Sequence, residues 1–310
     1  MSAKVGAKVS VVLPIRYVHS DWLKRSISSV LEQDYPNLEL IVVNDEATED
    51  IDELVRSFGI RKYVKNDRNR KLPYSLNRGF EVADGEYHSW TSADNYMLPG
   101  MITRLVTELE RQNVSIMCGR SIVTDENDVL HDLSSSDMRT ANLASCDLNA
   151  PRIEPRFTYY SSLGACFLYR KEVWEDLRGY DEARHGSEDF DFWLRASHKF
   201  TIGRIPWIEP PFYAYRTHSN SMSSTVPYCY SKARVSVLKR EVRQHPENRD
   251  LKKALEYHRS QVPREGMGKV VWSYVEPLYV RSVQQVPAPL KRGIRSLVRS
   301  SRRLFSEPSR

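Results

Sequence analysis

Asp94 is the residue whose type and position most plainly suggest chemistry. It lies in Trp90-Thr91-Ser92-Ala93-Asp94-Asn95, after the strand-like run Gly85–Ser89 and before a helix expected from about Pro99. An acidic side chain at the end of a buried strand in an α/β protein lies where such folds bind ligands. Asp94 there could hold a divalent cation against a phosphate. The same placement also suits a cap, by Asp94 or Asn95, for the following helix, and locally both readings stand. The four cysteines (Cys118, Cys146, Cys166, Cys229) are scattered with no CxxC pair, so they read as reduced, packed thiols and form neither a disulfide framework nor a zinc site.

The elements that must position such a site alternate regularly. Val9–Pro14 is an apolar, β-branched run ended by proline, and Trp22, Leu23, Ile27, Val30 and Leu31 follow at helical spacing. A second strand is expected over Leu38–Val43, a helix over Ile51–Phe58, a strand over Ile60–Lys65 and a helix over Tyr74–Ala83. With the run to Trp90 this is β-α-β-α-β-α-β, whose connections suit right-handed parallel crossovers. Pro14-Ile15-Arg16 stands where a dinucleotide fold would carry GxGxxG, and no Gly- and Lys-rich phosphate loop of a nucleotidyltransferase is present there. Beyond Pro99 the sequence predicts a helix over Met101–Arg111, one strand over Ser115–Val123, a long polar loop over 134–155, and a strand over Leu163–Tyr169. Helices at Lys171–Leu177 and Glu188–Ala196, a strand over Ile202–Ile208 and an extended Tyr213–Arg216 complete the body.

Composition bounds the function classes. The chain has 310 residues, 40% hydrophobic and 28% charged, with apolar runs far too short to cross a bilayer and no apolar signal-type segment at its start. Its formal charge is +6, and the seven Lys/Arg against one acid between 286 and 310 account for all of it. A neutral body argues against a nucleic-acid partner, whose basic face should lie on the domain itself. Residues 290–305 repeat apolar side chains at helical spacing with bases between them. That pattern fits a basic amphipathic helix on an anionic membrane surface, or a terminal helix packed on the domain with a solvated basic face. The expected location is the cytoplasm, with the inner membrane face as the alternative the tail allows.

Four segments then line up in order: Val-Ser-Val-Val-Leu-Pro14; Leu-Ile-Val-Val-Asn-Asp45-Glu-Ala-Thr; Leu-Asn77-Arg78-Gly79 ahead of Gly85-Glu-Tyr and Ser92-Ala-Asp94; and Ser-Glu188-Asp189-Phe-Asp-Phe-Trp-Leu-Arg195. Together with Ser29-Val-Leu-Glu-Gln-Asp-Tyr-Pro36-Asn-Leu-Glu-Leu they resemble family 2 glycosyltransferases of the GT-A fold, over residues 9 to about 222. The resemblance implies a Rossmann-like, mostly parallel α/β sheet flanked by helices over residues 1–225, followed by a helical, basic C-terminal extension over 226–310. It implies an inverting, metal-dependent transfer of a sugar from a nucleotide diphosphate donor to a glycan or lipid-linked acceptor.

The residue roles come from the same resemblance. Pro14, Asp45, Asn77, Arg78, Ser92 and Asp94 would contact the donor: Asp45 its base or ribose, or else cap a turn, and Arg78 the diphosphate, or else stand as a solvated helix charge. Asp94 with His218 would hold Mn2+ or Mg2+. Asp189 would be the catalytic base, with Glu188 and Trp193 toward the acceptor; locally, the alternative for Ser187-Glu188-Asp189 is a helix start alone. Arg216 could instead reach the phosphates. Two departures stand out: Ser92 replaces the first Asp of the family's Asp-x-Asp, and Asn44 the first of an Asp-Asp pair. They keep a second class open, a non-catalytic sugar-nucleotide or glycan binder on a decayed transferase scaffold.

Overall fold

The computed structural model describes residues 6–17, 19–133, 163–206, 209–219, 221, 227–260 and 262. The polar loop expected over 134–155 and the basic stretch 290–305 lie outside the described residues.

Four parallel strands form the N-terminal half of the main sheet: β1 (Val9–Ile15), β2 (Leu38–Asn44), β3 (Lys62–Lys65) and β4 (Tyr87–Trp90). Helices α1 (Ser20–Leu31), α2 (Asp52–Ser57) and α3 (Leu72–Glu81) connect them. β1 is central, and its apolar run, interrupted only by the buried Ser10, follows from burial on both faces. Val11 and Leu13 point into the core with Leu23, Ile27 and Val30 of α1, while Val12 points the other way, to Leu76 and Phe80 of α3. The period-2 alternation of the strand thus feeds two helical layers. Gly79 lets α3 lie close on the sheet, since a Cβ there would come within 2.4 Å of Val12.

The sheet continues through β6 (Ile116–Cys118), β9 (Phe167–Arg170) and β10 (Ile202–Arg204), giving the order β10-β6-β9-β4-β1-β2-β3. β9 is antiparallel to both its neighbours, β4 and β6, so the sheet is mixed and mostly parallel, as expected. The amphipathic α4 (Met101–Gln112) packs Leu105, Val106 and Leu109 on the α1 side. A second, four-stranded sheet has the order β5-β11-β7-β8, from Tyr96–Met97, Tyr213–Arg216, Ser121–Thr124 and Leu130–Leu133.

Two local expectations change. The single strand predicted over Ser115–Val123 divides into β6 and β7, which belong to different sheets. The break falls at Gly119, where a Cβ would lie 2.7 Å from Cys166 Sγ. Tyr96-Met97, read as the approach to a helix, is instead a strand paired with β11. Cys118 and Cys166 are buried free thiols, as expected.

The short α5 (Lys171–Asp176) and the longer α6 (Glu188–Ser197) follow β9. The described part of the C-terminal extension forms α7 (Pro227–Gln244) and α8 (Arg249–Ser260). Val237, Leu238, Leu251, Ala254 and Leu255 from this pair bury against Phe190 and Leu194 of α6. Asp191 of α6, fully buried, is held between Arg195 Nε and Arg240, each at 2.7 Å. The extension is therefore bolted to the helix that carries Glu188 and Asp189. Among the described residues no helix is long and apolar enough to cross a membrane.

Candidate active site

A crevice opens at the carboxyl ends of the central strands. β4 follows β1 only as far as Trp90 opposite Val12, and Thr91 N–H then donates to Val12 O at 3.0 Å before the chain turns away. Pro14 comes two residues after Val12, so its missing N–H faces the gap that β4 has left and costs no ladder bond. β2 continues beside β1 to Ile15 and Asn44. The departure of β4 separates the two strand ends, the place where open α/β sheets take ligands.

The turn after β4 is tightly stitched. Ser92 O accepts from Ser26 Oγ at 2.9 Å and from Asn95 N–H at 3.2 Å, and Ser92 Oγ accepts from the Asn95 carboxamide at 2.5 Å. Asn95 Oδ1 in turn accepts the Arg216 N–H at 2.7 Å, tying the turn to β11. Helix α4 begins at Met101 behind Gly100, with no side-chain cap, so neither Asp94 nor Asn95 performs that task. Of the two local readings of Asp94, the cap is removed.

Asp94 Oδ2 lies 3.1 Å from His218 Nε2, and Asp94 Oδ1 is buried with no hydrogen-bond partner. Leaving a buried carboxylate oxygen unsatisfied costs about 1–3 kcal/mol or more. A folded site accepts that cost when a ligand supplies the missing contact. A carboxylate and an imidazole on one face make a mixed O/N donor set that fits Mn2+, with further positions left for phosphate oxygens and water. The residues present therefore fit a divalent cation.

Arg216, a candidate for the phosphates, is 1% exposed and otherwise engaged. Its guanidinium donates to the Asp94 carbonyl oxygen, pairs with Asp128 at 2.6 Å, and lies 4.8 Å over the Trp22 ring. Arg25 shares Asp128 and stacks 3.7 Å over Tyr96. Trp22 also faces His218 at 4.8 Å between ring centroids and stacks on His19 at 4.2 Å. Arg216, Asp128 and Trp22 thus hold Asp94 and His218 in place. Only Arg216 stood out in the sequence as a site residue, Trp22 reading simply as part of the apolar stripe of α1, and these partners lie too far along the chain from Asp94 to leave a local pattern.

Asp45, 3% exposed, anchors the loop after β3. Its Oδ1 accepts Arg70 N–H at 2.7 Å and the Asn66 carboxamide at 2.8 Å, and its Oδ2 accepts Lys71 N–H at 2.9 Å. Those bonds support Lys71 in a left-handed backbone conformation, φ 73°, a strained state for a residue with a Cβ. Asn44 is likewise committed, accepting Ala47 N–H at 2.8 Å and donating to Tyr63 Oη at 3.0 Å. Beside it opens a cleft of about 470 Å³ lined by Asn44, Glu46, Thr48, Asp50, Lys65 and Asn66, among others.

Asn77 and Arg78 have other partners than a donor. The Asn77 carboxamide makes a reciprocal pair with the Tyr180 backbone, at 2.9 and 2.8 Å, fastening α3 to the segment before α6. Arg78 forms a half-exposed pair with Glu81 one turn away, at 2.9 Å. The geometry gives Asn77 a scaffold role and Arg78 a solvated helix pair.

At the start of α6, Glu188 is 4% exposed and its Oε2 accepts Gly186 N–H at 2.6 Å. Burial, and then the charge of Asp189, hold its pKa well above the usual carboxylate range. Asp189 is partly exposed and its Oδ1 accepts Phe190 N–H at 2.6 Å, an otherwise orphaned amide of the first helical turn. Tyr180 links this pair to β4: its hydroxyl accepts Trp90 Nε1–H at 3.0 Å, and burial, its hydrogen bonds and the charges of Asp189 and Glu188 perturb it. His185, just upstream, is lowered in pKa by partial burial and by the charge of Lys71, with Asp45 opposing. The sequence offered no context for His185.

Trp193 is a correction. Expected toward the acceptor, it is 1% exposed and packs edge-on against Phe167 at 5.0 Å in the aromatic core. Helical spacing places residue 193 four positions after Asp189, but α6 is wrapped by the sheet on one side and by α7 and α8 on the other. A large apolar side chain there goes inward.

The mixed, mostly parallel sheet flanked by helices, with acids at the carboxyl ends of β2 and β4, is the GT-A fold of the solved structures it matches. Solved structures agree with that class: Staphylococcus aureus TarS residues 1–349 with UDP-GlcNAc matches over 96% of this chain and 87% of that one, at TM-score 0.65 and 16% identity. A mannosyltransferase from Pyrobaculum calidifontis, in complex with GDP-Man and Mn2+, matches over the same shares at TM-score 0.58 and 15% identity. The family model for glycosyl transferase family 2 matches residues 10–178, more than half of the chain, and the chain belongs to that family. Curated relatives include an uncharacterized glycosyltransferase of Rickettsia prowazekii (strain Madrid E), 24% identical over 70% of this chain and 66% of its own length. The glycosyltransferase GlyG of Streptococcus pneumoniae serotype 4 is 24% identical over 70% of this chain and 73% of its own. For other relatives the match spans much less of their length, 35% for a Rickettsia conorii glycosyltransferase.

Proposed function

We propose that this protein is an inverting, metal-dependent glycosyltransferase that moves a sugar from a nucleotide diphosphate donor to a hydroxyl of a glycan or lipid-linked acceptor. The observation that carries the reading is the pairing of Asp94 with His218 beside an unpartnered carboxylate oxygen at the end of β4. UDP and GDP sugars are the donors to try first, since neighbours of the same fold hold UDP-GlcNAc and GDP-Man. The cleft beside Asn44 is the proposed base and ribose site, where Asp50, Glu46 and backbone carbonyls can accept from an imide or from ribose hydroxyls.

Asp94 and His218 would hold Mn2+ or Mg2+, which supplies charge neutralisation for the departing diphosphate. Ser92 keeps a hydroxyl near the metal loop in place of a second carboxylate. Asp189 takes the proton from the acceptor hydroxyl as that oxygen bonds to the anomeric carbon. The bond from that carbon to the diphosphate oxygen breaks on the opposite face, inverting the configuration. One positioned base suffices for a single displacement. Glu188, buried beside it with its carboxyl pKa raised, would contact the acceptor.

The second reading, a non-catalytic binder on the same scaffold, is favoured by Ser92 and by the structural employment of Asn44. Turnover decides between them: sugar release from UDP- and GDP-sugars is measured with and without Mn2+ in wild type and Asp189→Asn. Metal-dependent turnover lost in the variant supports the transferase. Donor binding with no turnover in wild type supports the binder.

A further inference from the structure

A second cluster of ligating side chains lies away from the crevice, where α6 meets α7. His198 caps the C-terminus of α6, Glu241 is on the last turn of α7, and His245 immediately follows that helix. Their candidate donor atoms all lie within 4.8 Å of one another, the one such group of three His, Cys, Asp or Glu among the described residues. His198 Nε2 is 3.1 Å from Glu241 Oε2, close to the roughly 3.3 Å edge of a tetrahedron with bonds of about 2.0 Å. The two imidazoles stack at 4.7 Å between centroids.

Glu241 is 2% exposed, with Arg240 on one carboxylate oxygen and His198 on the other. Arg240 occupies only Oε1, at 2.6 to 2.8 Å, and so leaves Oε2 on the histidine side. Both histidines sit at helix C-termini, where the peptide dipoles favour positive charge. Two stacked imidazolium ions would repel each other there. One divalent cation shared by two neutral imidazoles and a carboxylate satisfies the same field without that repulsion. Two nitrogen donors with one oxygen select a borderline transition metal over Mg2+ or Ca2+. The His245 side chain is 40% exposed, with its Nδ1 3.9 Å from Glu247, so the fourth position is left to water.

We propose that His198, Glu241 and His245 form a Zn2+-binding site that clamps the C-terminal helix α7 to α6, the helix bearing Asp189 at its other end. The test is thermal unfolding of the chelator-stripped full chain with and without added Zn2+, in the absence of nucleotide. Wild type is compared with His245→Gln, His198→Gln and, as a control on the Asp94 pair, His218→Gln. Zn2+ should raise the melting temperature of wild type and His218→Gln, and titration should show binding weakened at least about 10- to 100-fold in the His245 and His198 variants. His245 is half-exposed, so its metal-free variant should melt near wild type and show the fold intact. A shift that is absent from wild type, survives both the His198 and His245 substitutions, or disappears with His218→Gln overturns the proposal.

Discussion

His218 Nε2 stands 3.1 Å from Asp94 Oδ2 although the two residues are 124 positions apart in the chain. No local propensity can arrange that. β11 delivers His218 by pairing with β5, the strand that directly follows Asp94, and Arg216 locks the two together through the Asp94 carbonyl. The second, small sheet thus builds the candidate metal pair.

The lock has a testable cost. Arg216→Met leaves Asp128 partly buried with only Arg25 to neutralise it, and breaking a buried ion pair costs about 3 kcal/mol or more. The melting temperature should fall accordingly. Equal stability of wild type and Arg216→Met in chemical denaturation would remove the lock.

Asp189→Asn should reduce sugar transfer by about 100- to 10,000-fold, the usual contribution of a positioned general base. Stabilisation by UDP or GDP with Mn2+ should persist, because the base contacts the acceptor and not the nucleotide. Parallel kinetics and nucleotide-dependent melting check it. Loss of nucleotide binding in this variant would place Asp189 at the donor.

Glu188 gives a pH signature. Its folded pKa is raised above its unfolded one, so the folded state binds the extra proton. Its contribution to stability is fully present below the ordinary carboxylate pKa and is lost as pH rises toward the raised value. Wild type should therefore lose stability relative to Glu188→Gln across that interval, measured by denaturant unfolding at several pH values. A difference that stays constant with pH would show that Glu188 titrates normally in the fold.

The docking of the extension is open to the same kind of test. Leu238 is fully buried against the α6 cluster, and Leu238→Ala should cost about 2–5 kcal/mol. If α7 and α8 form one body with the transferase domain, that loss appears in a single unfolding transition. A separate early transition, with the main one unmoved, would make residues 226–310 an independent unit.

How far the sequence could be read follows from where each signal lives. The parallel half of the main sheet was legible because β1 and β2 are largely buried on both faces and read as mostly apolar runs, and α1 and α4 show one apolar stripe each. Asp94 and Asp189 stood at strand and helix ends, positions that sequence pattern marks well. The antiparallel β9 and the split at Gly119 were not legible, since both depend on partners supplied by other strands. Asn77 and Trp193 show the converse limit. Their identities suit a polar site and a sugar platform, but the backbone of Tyr180 claims one and the aromatic core the other. Trp22 and Asp128 became visible as site residues only once the fold placed them beside His218 and Arg216.

The central claim is that Asp94 and His218 hold the cation on which donor cleavage depends. Sugar transfer or donor hydrolysis is measured against Mn2+ concentration for wild type, Asp94→Asn and His218→Gln, with UDP- and GDP-sugars. The expected result is turnover abolished by chelator in wild type, near-complete loss in Asp94→Asn, and a Mn2+ requirement raised about tenfold or more in His218→Gln. Turnover in wild type that ignores chelator and is unchanged in Asp94→Asn would contradict it.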